Sequence, residues 1–243
     1  MIKIFEDKAQ LSKEAAALFV KTAQEAVEKN GRFTVALTGG SSPVQLYSLL
    51  AQQPFVEQVP WKQTFIFWGD ERWVPLTDNL SNARMATETF LSKVPVPPEQ
   101  VYPMWSENVE PEAFAQQYEK LLQQHFDQEN PQFDLILLGM GDDGHTASLF
   151  PGTEVLHEAS RWVQAYFLAP QSMYRVTLTA PLINQAKKIV FLTFGQNKAD
   201  ALYEVLEGER NPEKYPSQLI QPKNGEVLWF VDESAASRLK KSK

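Results

Sequence analysis

The segment 133–141, FDLILLGMG, is apolar on both of its faces, and it constrains the fold more than any other stretch of the chain. A run of that kind suits a central strand covered by helices on each side, as in a parallel sheet. Around it, short apolar runs alternate with amphipathic stretches. FTVALT (33–38), TFIFW (64–68), RWVQAYF (161–167), YRVTLTA (174–180), KKIVFLTF (187–194) and EVLWFV (226–231) read as further strands. In residues 8–29, Leu11, Ala15, Leu18, Phe19, Thr22 and Ala26 share one face at helical spacing, and Asn30-Gly31 supplies the stop. Further helices are expected over 43–50, 81–94, 112–126 and 197–208, and in the tail from Asp232. Strands interleaved with helices of this length predict an α/β fold, a doubly wound and mostly parallel sheet with helices on both faces. The Pro-rich piece 94–103 reads as a surface connection. No composition shift marks a second domain, so 1–243 is taken as one.

Composition narrows the function. A hydrophobic fraction of 43% in 243 residues is enough to bury a sizeable core. The formal charge of -7 disfavours nucleic acid and anionic membranes as partners, because both need Lys and Arg to neutralise phosphates. An anionic ligand must therefore meet a local cluster of positive groups. With no cysteine, disulfides and thiolate zinc sites are excluded, and with three histidines a His-rich metal site has little support. The first twenty residues carry charges throughout, and no apolar stretch is long enough to span a bilayer, so a cytoplasmic protein is expected.

Ligands of such sheets sit outside the carboxyl ends of the strands, which directs attention to the residues just after each run. The first such motif is Thr38-Gly39-Gly40-Ser41-Ser42-Pro43. Its glycines let backbone N–H groups approach an anion, and Pro43 suits the first helical turn with Ser42 as cap. The motif reads either as a phosphate site or as an ordinary capped turn. It is not a P-loop, since the GxxxxGK[ST] spacing and its lysine are missing. The second motif is Gly69-Asp70-Glu71-Arg72, between Trp68 and Trp73. It is either a solvated turn or part of an enclosed site in which Arg72 clamps an oxyanion and Asp70 or Glu71 accepts from hydroxyls.

The third motif runs from Leu138 to Ser148, LGMGDDGHTAS. It matches GxGxxG after a strand, but Asp142 and Asp143 would face a pyrophosphate and Pro151-Gly152 interrupts any following helix, so dinucleotide binding is rejected. What remains is a flexible turn presenting His145, with Asp143 two residues earlier. An imidazole with a pKa of about 6.5 can take a proton from water near neutrality, and a carboxylate can hold its tautomer. A structural, helix-capping histidine is the alternative. His125, on a polar helix face, and His157, in a polar connection, are read as merely exposed. Lys198 opens a helix, where a cation is unfavourable against the dipole unless an anion is near.

With these motifs in order, the sequence resembles the 6-phosphogluconolactonases. The resemblance covers essentially the whole chain through TGGSSP (38–43), FWGDERWVP (67–75), SNARM (81–85), LLGMGDDGHTASLFPG (137–152), RVTLT (175–179) and FGQNKADAL (194–202). It implies a Rossmann-like fold similar to glucosamine-6-phosphate deaminase and ribose-5-phosphate isomerase. The implied activity is hydrolysis of 6-phosphogluconolactone in the oxidative pentose phosphate pathway, by a monomer needing neither cofactor nor metal. Under that reading His145 activates water, Asp143 orients the imidazole, and the Gly-rich turn or Arg72 holds the oxyanion. Gly39, Gly40, Ser41 and Ser42 would cradle the phosphate, with Arg175 and Lys198, placed by superfamily position, as counter-charges. The wider family supplies a competing activity. Deaminases carry a segment like GHIAFNEP, with a glutamate five residues after the histidine; here that position is Phe150, although Asp70 does match the deaminase proton-transfer residue.

Overall fold

The computed structural model describes residues 1–126 and 131–240. In chain order the elements are β1 (Ile2–Phe5), α1 (Lys8–Asn30), β2 (Phe33–Leu37), α2 (Val44–Leu50), α3 (Phe55–Gln58), β3 (Thr64–Trp68), β4 (Asp70–Arg72), α4 (Asn82–Thr89), α5 (Pro111–His125), β5 (Leu135–Gly139), β6 (Val163–Leu168), β7 (Met173–Leu178), α6 (Ala180–Ile183), β8 (Lys188–Thr193), α7 (Ala199–Leu206) and β9 (Glu226–Asp232).

Six strands form one sheet in the order β1-β9-β8-β5-β2-β3, and every pairing in it is parallel. β5 lies inside that sheet with Leu135, Ile136, Leu137 and Leu138 all buried, as its two-faced apolar run predicts. From β2 the chain moves outward to β3; from β5 it moves the other way through β8 to β9. The strand order therefore reverses between β2 and β5, the place where open α/β sheets bind ligands.

Helix α1 shows how locally the elements are specified. Asp7 caps it, accepting from the Gln10 N–H at 2.8 Å, and Gly31 ends it with φ 74° while donating to Val27 O at 2.8 Å. A left-handed residue there is easiest for glycine. Leu11, Ala15, Phe19, Ala23 and Ala26 are buried along its inner face. Burying a single Leu or Phe contributes about 1.5–3 kcal/mol, more than the ~1 kcal/mol of the cap, so packing dominates.

The fold departs from expectation where long-range pairing decides. Asp70–Arg72 is a strand rather than a charged turn, and it joins β7 and β6 in a separate antiparallel sheet of order β4-β7-β6. The runs 161–167 and 174–180 are thus a hairpin outside the parallel sheet. β1 was not foreseen: its residues are largely exposed and lack a strong apolar signature. α2 starts at Val44 with Pro43 at its cap and no side-chain capping bond, so Ser42 does not cap it. α4 ends at Thr89, and the remainder of 81–94 contains only a 3₁₀ turn at Leu91–Lys93. Asp232 closes β9 instead of opening a helix; among the described residues the tail holds a 3₁₀ turn at Ala235–Arg238. No helix among the described residues is long and apolar enough to cross a membrane.

Candidate active site

A cavity of about 250 Å³ opens at the carboxyl ends of β2 and β5. It gathers residues far apart in sequence: Gly39 to Ser42 after β2, Asp70 and Arg72 on β4, His145 after β5, Arg175 on β7, and Lys198 before α7. Of the residues expected at a site, Asp143 and Glu71 do not line the cavity. Asp143 stands behind His145, its Oδ1 2.6 Å from Nδ1.

The histidine turn is rigidly built. Gly141 N–H donates to His145 O at 2.8 Å, Gly144 N–H to Gly141 O at 3.2 Å, and His145 N–H to Asp143 Oδ1 at 3.0 Å. The expectation of a flexible turn is therefore corrected; its glycines permit a tight loop, and hydrogen bonds then close it. Gly141 is required for space, since a Cβ there would lie 2.1 Å from His145 Nδ1 and 2.4 Å from Asp143 Oδ1. Burial alone would raise the Asp143 pKa, but the hydrogen bonds and charge of His145 outweigh it and hold the carboxyl below its ordinary value. An ionised Asp143 can only accept, so the imidazole proton belongs on Nδ1 and Nε2 keeps a free lone pair. Phe150 stacks on the imidazole with centroids 4.1 Å apart.

Farther along the same segment, Ser148 is fully buried and ties the turn to the small sheet. Its Oγ–H donates to Asp70 Oδ2 at 2.6 Å, its N–H to Thr177 Oγ1 at 3.2 Å, and its carbonyl accepts from Tyr166 Oη at 2.6 Å. All three strands β4, β6 and β7 thus hold this one serine.

The small sheet carries the charges. Arg72 and Arg175 are directly opposite in the β4–β7 register, a juxtaposition of like charges that is unfavourable by itself. Asp70 offsets part of it, with Oδ2 3.7 Å from Arg175 Nη1, and both residues are buried. Arg175 Nη2 also donates to Gln171 Oε1, while its Nε and that of Arg72 have no hydrogen-bond partner among the described residues. Burial pulls Arg175 below the usual arginine value, and Asp70 pulls it back. Cationic groups arranged this way around a cavity suit an anionic ligand.

Glu71 faces away from the cavity. Its carboxyl accepts from the N–H groups of Arg72, Asn82 and Ala83 and from Ser81 Oγ–H, joining β4 to the start of α4. Burial pushes its pKa up to about 7 against the pull of those backbone bonds. Asn82, so held, donates from Nδ2 to Asp70 O at 2.9 Å and packs on Gly39, where a Cβ would lie 1.9 Å from its Oδ1.

Other sequence expectations separate here. Trp68 is buried on the far side of β3, and Trp73 packs on Trp105 and Phe114; neither lines the cavity. His125 is half-buried among Phe65, Phe67 and Tyr102, and burial followed by Arg32 lowers its pKa, so it is not merely exposed. An amphipathic helix pattern cannot reveal that aromatic neighbours cover a polar face. His157 is exposed, 3.4 Å from Glu213. Sequence reasoning missed Asn82, Ser148 and Gln171; SNARM and the stretch after His145 carried a signal for the first two only as family motifs. Among the described residues, no group of three or more His, Asp or Glu converges as a metal-holding cluster.

A family model described as glucosamine-6-phosphate isomerases/6-phosphogluconolactonase matches residues 6–229. The 6-phosphogluconolactonase of Synechocystis is 42% identical over 219 residues, covering 89% of this chain and 88% of that protein. The solved 6-phosphogluconolactonase of Trypanosoma brucei aligns with a TM-score of 0.86 at 26% identity, covering 99% of this chain and 98% of that one. A monomeric glucosamine-6-phosphate deaminase aligns at TM-score 0.84 and 23% identity, covering 97% and 98%, a likeness of fold alone.

Proposed function

Because the chain belongs to the family of glucosamine-6-phosphate isomerases and 6-phosphogluconolactonases, we propose that it hydrolyses 6-phospho-D-glucono-1,5-lactone to 6-phospho-D-gluconate. The observation that carries this reading is the His145–Asp143 pair, 2.6 Å apart, at the edge of a cavity that also holds Arg72, Arg175 and Lys198. Residues 1–243 then act as one lactonase domain in the cytoplasm, and the product belongs to the oxidative pentose phosphate pathway.

A lactone is an activated ester, so water made more nucleophilic by a base is sufficient. The base is His145 Nε2. It takes a proton from water as the water oxygen bonds to C1, and Asp143 stabilises the imidazolium that results. The developing oxyanion falls to Arg72. The N–H groups of Gly141, Gly144 and His145 already have partners within the glycine-rich turn and are not available to it. When the C1–ring oxygen bond breaks, the imidazolium returns its proton to that oxygen, which leaves as a hydroxyl. The 6-phosphate rests against the Gly39–Ser42 turn, where Arg175 and Lys198 oppose its charge. Phe150, in place of the deaminase glutamate, is apolar and cannot assist ring opening of an amino sugar.

The test is lactone hydrolysis. The substrate is made freshly from glucose 6-phosphate and acid release is followed above spontaneous opening. Wild type should accelerate it, and His145→Ala should lose about 10²–10⁴-fold in kcat while inorganic phosphate still inhibits. Undiminished turnover by His145→Ala would remove the base from its role. Ammonia release from glucosamine 6-phosphate by a wild type inactive on the lactone would favour the deaminase reading instead.

A further inference from the structure

Lys8 is the first residue of α1, and like Lys198 it sets a cation at a helix N-terminus, against the dipole. Its ammonium donates to the carbonyl of Ser41 at 3.2 Å and lies 4.2 Å over the ring of Phe194, just past β8. It forms no ion pair among the described residues, whose pairs involve other side chains. Burial lowers its pKa, so the charge is held there at a cost that no carboxylate offsets. Lys8 does not line the cavity, whereas Ser41 and Ser42 do.

The planarity of the peptide gives this contact a consequence. In a trans peptide the carbonyl of one residue and the N–H of the next point in opposite directions. A Ser41 carbonyl drawn toward Lys8 therefore turns the Ser42 N–H away from Lys8, and Ser42 lines the cavity. No hydrogen bond from that N–H is made within the described residues.

We propose that Lys8 is a positioning residue for phosphate recognition: from behind the Gly39–Ser42 turn it pins the Ser41 carbonyl, directs the Ser42 N–H at the bound phosphate, and adds positive potential to the site. This rests on the reading that the turn holds the substrate's phosphate. Lys8 works through the turn and touches neither the reacting carbon nor the base, so its effect belongs to binding of the phosphorylated end. Arginine at this position keeps the charge and a donor within reach of the carbonyl; methionine keeps the stem alone.

The experiment compares Lys8→Met, Lys8→Arg and, as a control for the reading itself, Lys198→Met. For each, kcat and KM on fresh 6-phosphogluconolactone, the inhibition constant of inorganic phosphate and the thermal midpoint are measured. Lys8→Met should raise KM and the phosphate inhibition constant together, roughly fivefold, with kcat within about twofold of wild type. Lys8→Arg should recover most of that loss. If Lys198→Met weakens phosphate and Lys8→Met does not, the role of Lys8 is refuted and the phosphate reading stands. If neither variant moves phosphate inhibition, both are refuted. A fall in kcat and thermal midpoint with unchanged phosphate inhibition would make Lys8 structural only.

Discussion

Two turns at the ends of neighbouring strands, Gly39–Ser42 after β2 and Gly141–Ser148 after β5, are both rich in small residues yet are built in opposite ways. In the second, the N–H groups of Gly141, Gly144 and His145 are engaged within the turn, and that of Ser148 is engaged by Thr177. In the first, the N–H groups of Gly39, Gly40, Ser41 and Ser42 make no hydrogen bond within the described residues. A turn tied by several internal hydrogen bonds holds a side chain in one place; a turn with all its donors free is suited to receive an anion. Glycine serves each differently. Gly141 makes room for the imidazole and carboxylate beside it, while Gly40 supplies a φ of 72° and has nothing within 4 Å of where its Cβ would be.

The largest expected break of this contrast is Gly141→Ala. Its Cβ would displace the His145–Asp143 pair, and a misplacement of about 1 Å costs on the order of 10²-fold in rate. The check is a steady-state assay, with kcat falling and phosphate inhibition preserved; an unaltered kcat would mean the pair tolerates movement. Gly40→Ala should act on the other turn and on the other constant. A left-handed non-glycine costs about 1–2 kcal/mol, so KM should rise by roughly tenfold while kcat stays near wild type. Were kcat to fall instead, the two turns would not divide binding from chemistry as described.

The smallest effect concerns pH. Folding depresses the Asp143 pKa, so the pair contributes stability that is full above the ordinary aspartate range and is lost as pH falls through the folded value. Thermal midpoints of wild type and Asp143→Asn should therefore differ at neutral pH, and the gap should begin to close as pH falls below the unfolded value of about 3.9. The difference should be modest, about 1 kcal/mol or less, because Asp143 is exposed and solvent screens the pair. A gap that persists unchanged into acid would assign the stability of the turn to its backbone bonds alone.

The small antiparallel sheet explains why the site was only partly legible. Thr38–Ser42 and the His145 turn were legible as turns at strand ends, because an apolar strand and the glycines that follow it are written within a few neighbouring residues. Asp70–Arg72 was legible as charge and not as strand, since three residues carry too little periodicity to declare a pairing partner. That β4 pairs with β7, and so sets Arg72 opposite Arg175, depends on residues about a hundred positions apart.

The sequence by itself determined the alternation of strands and helices, the two-faced burial of β5, the glycine-containing turn after β2, and the nearness of Asp143 to His145. All of these follow from local periodicity, capping and spacing. Only the tertiary structure decided which charges meet. Ser148 reaches Asp70 across 78 residues of chain, and Lys8 reaches Ser41 across 33. The physical reason is that such contacts are selected by packing the small sheet and α1 around the parallel one. Their energies reward a complete arrangement in space, of which no single stretch of sequence carries the record.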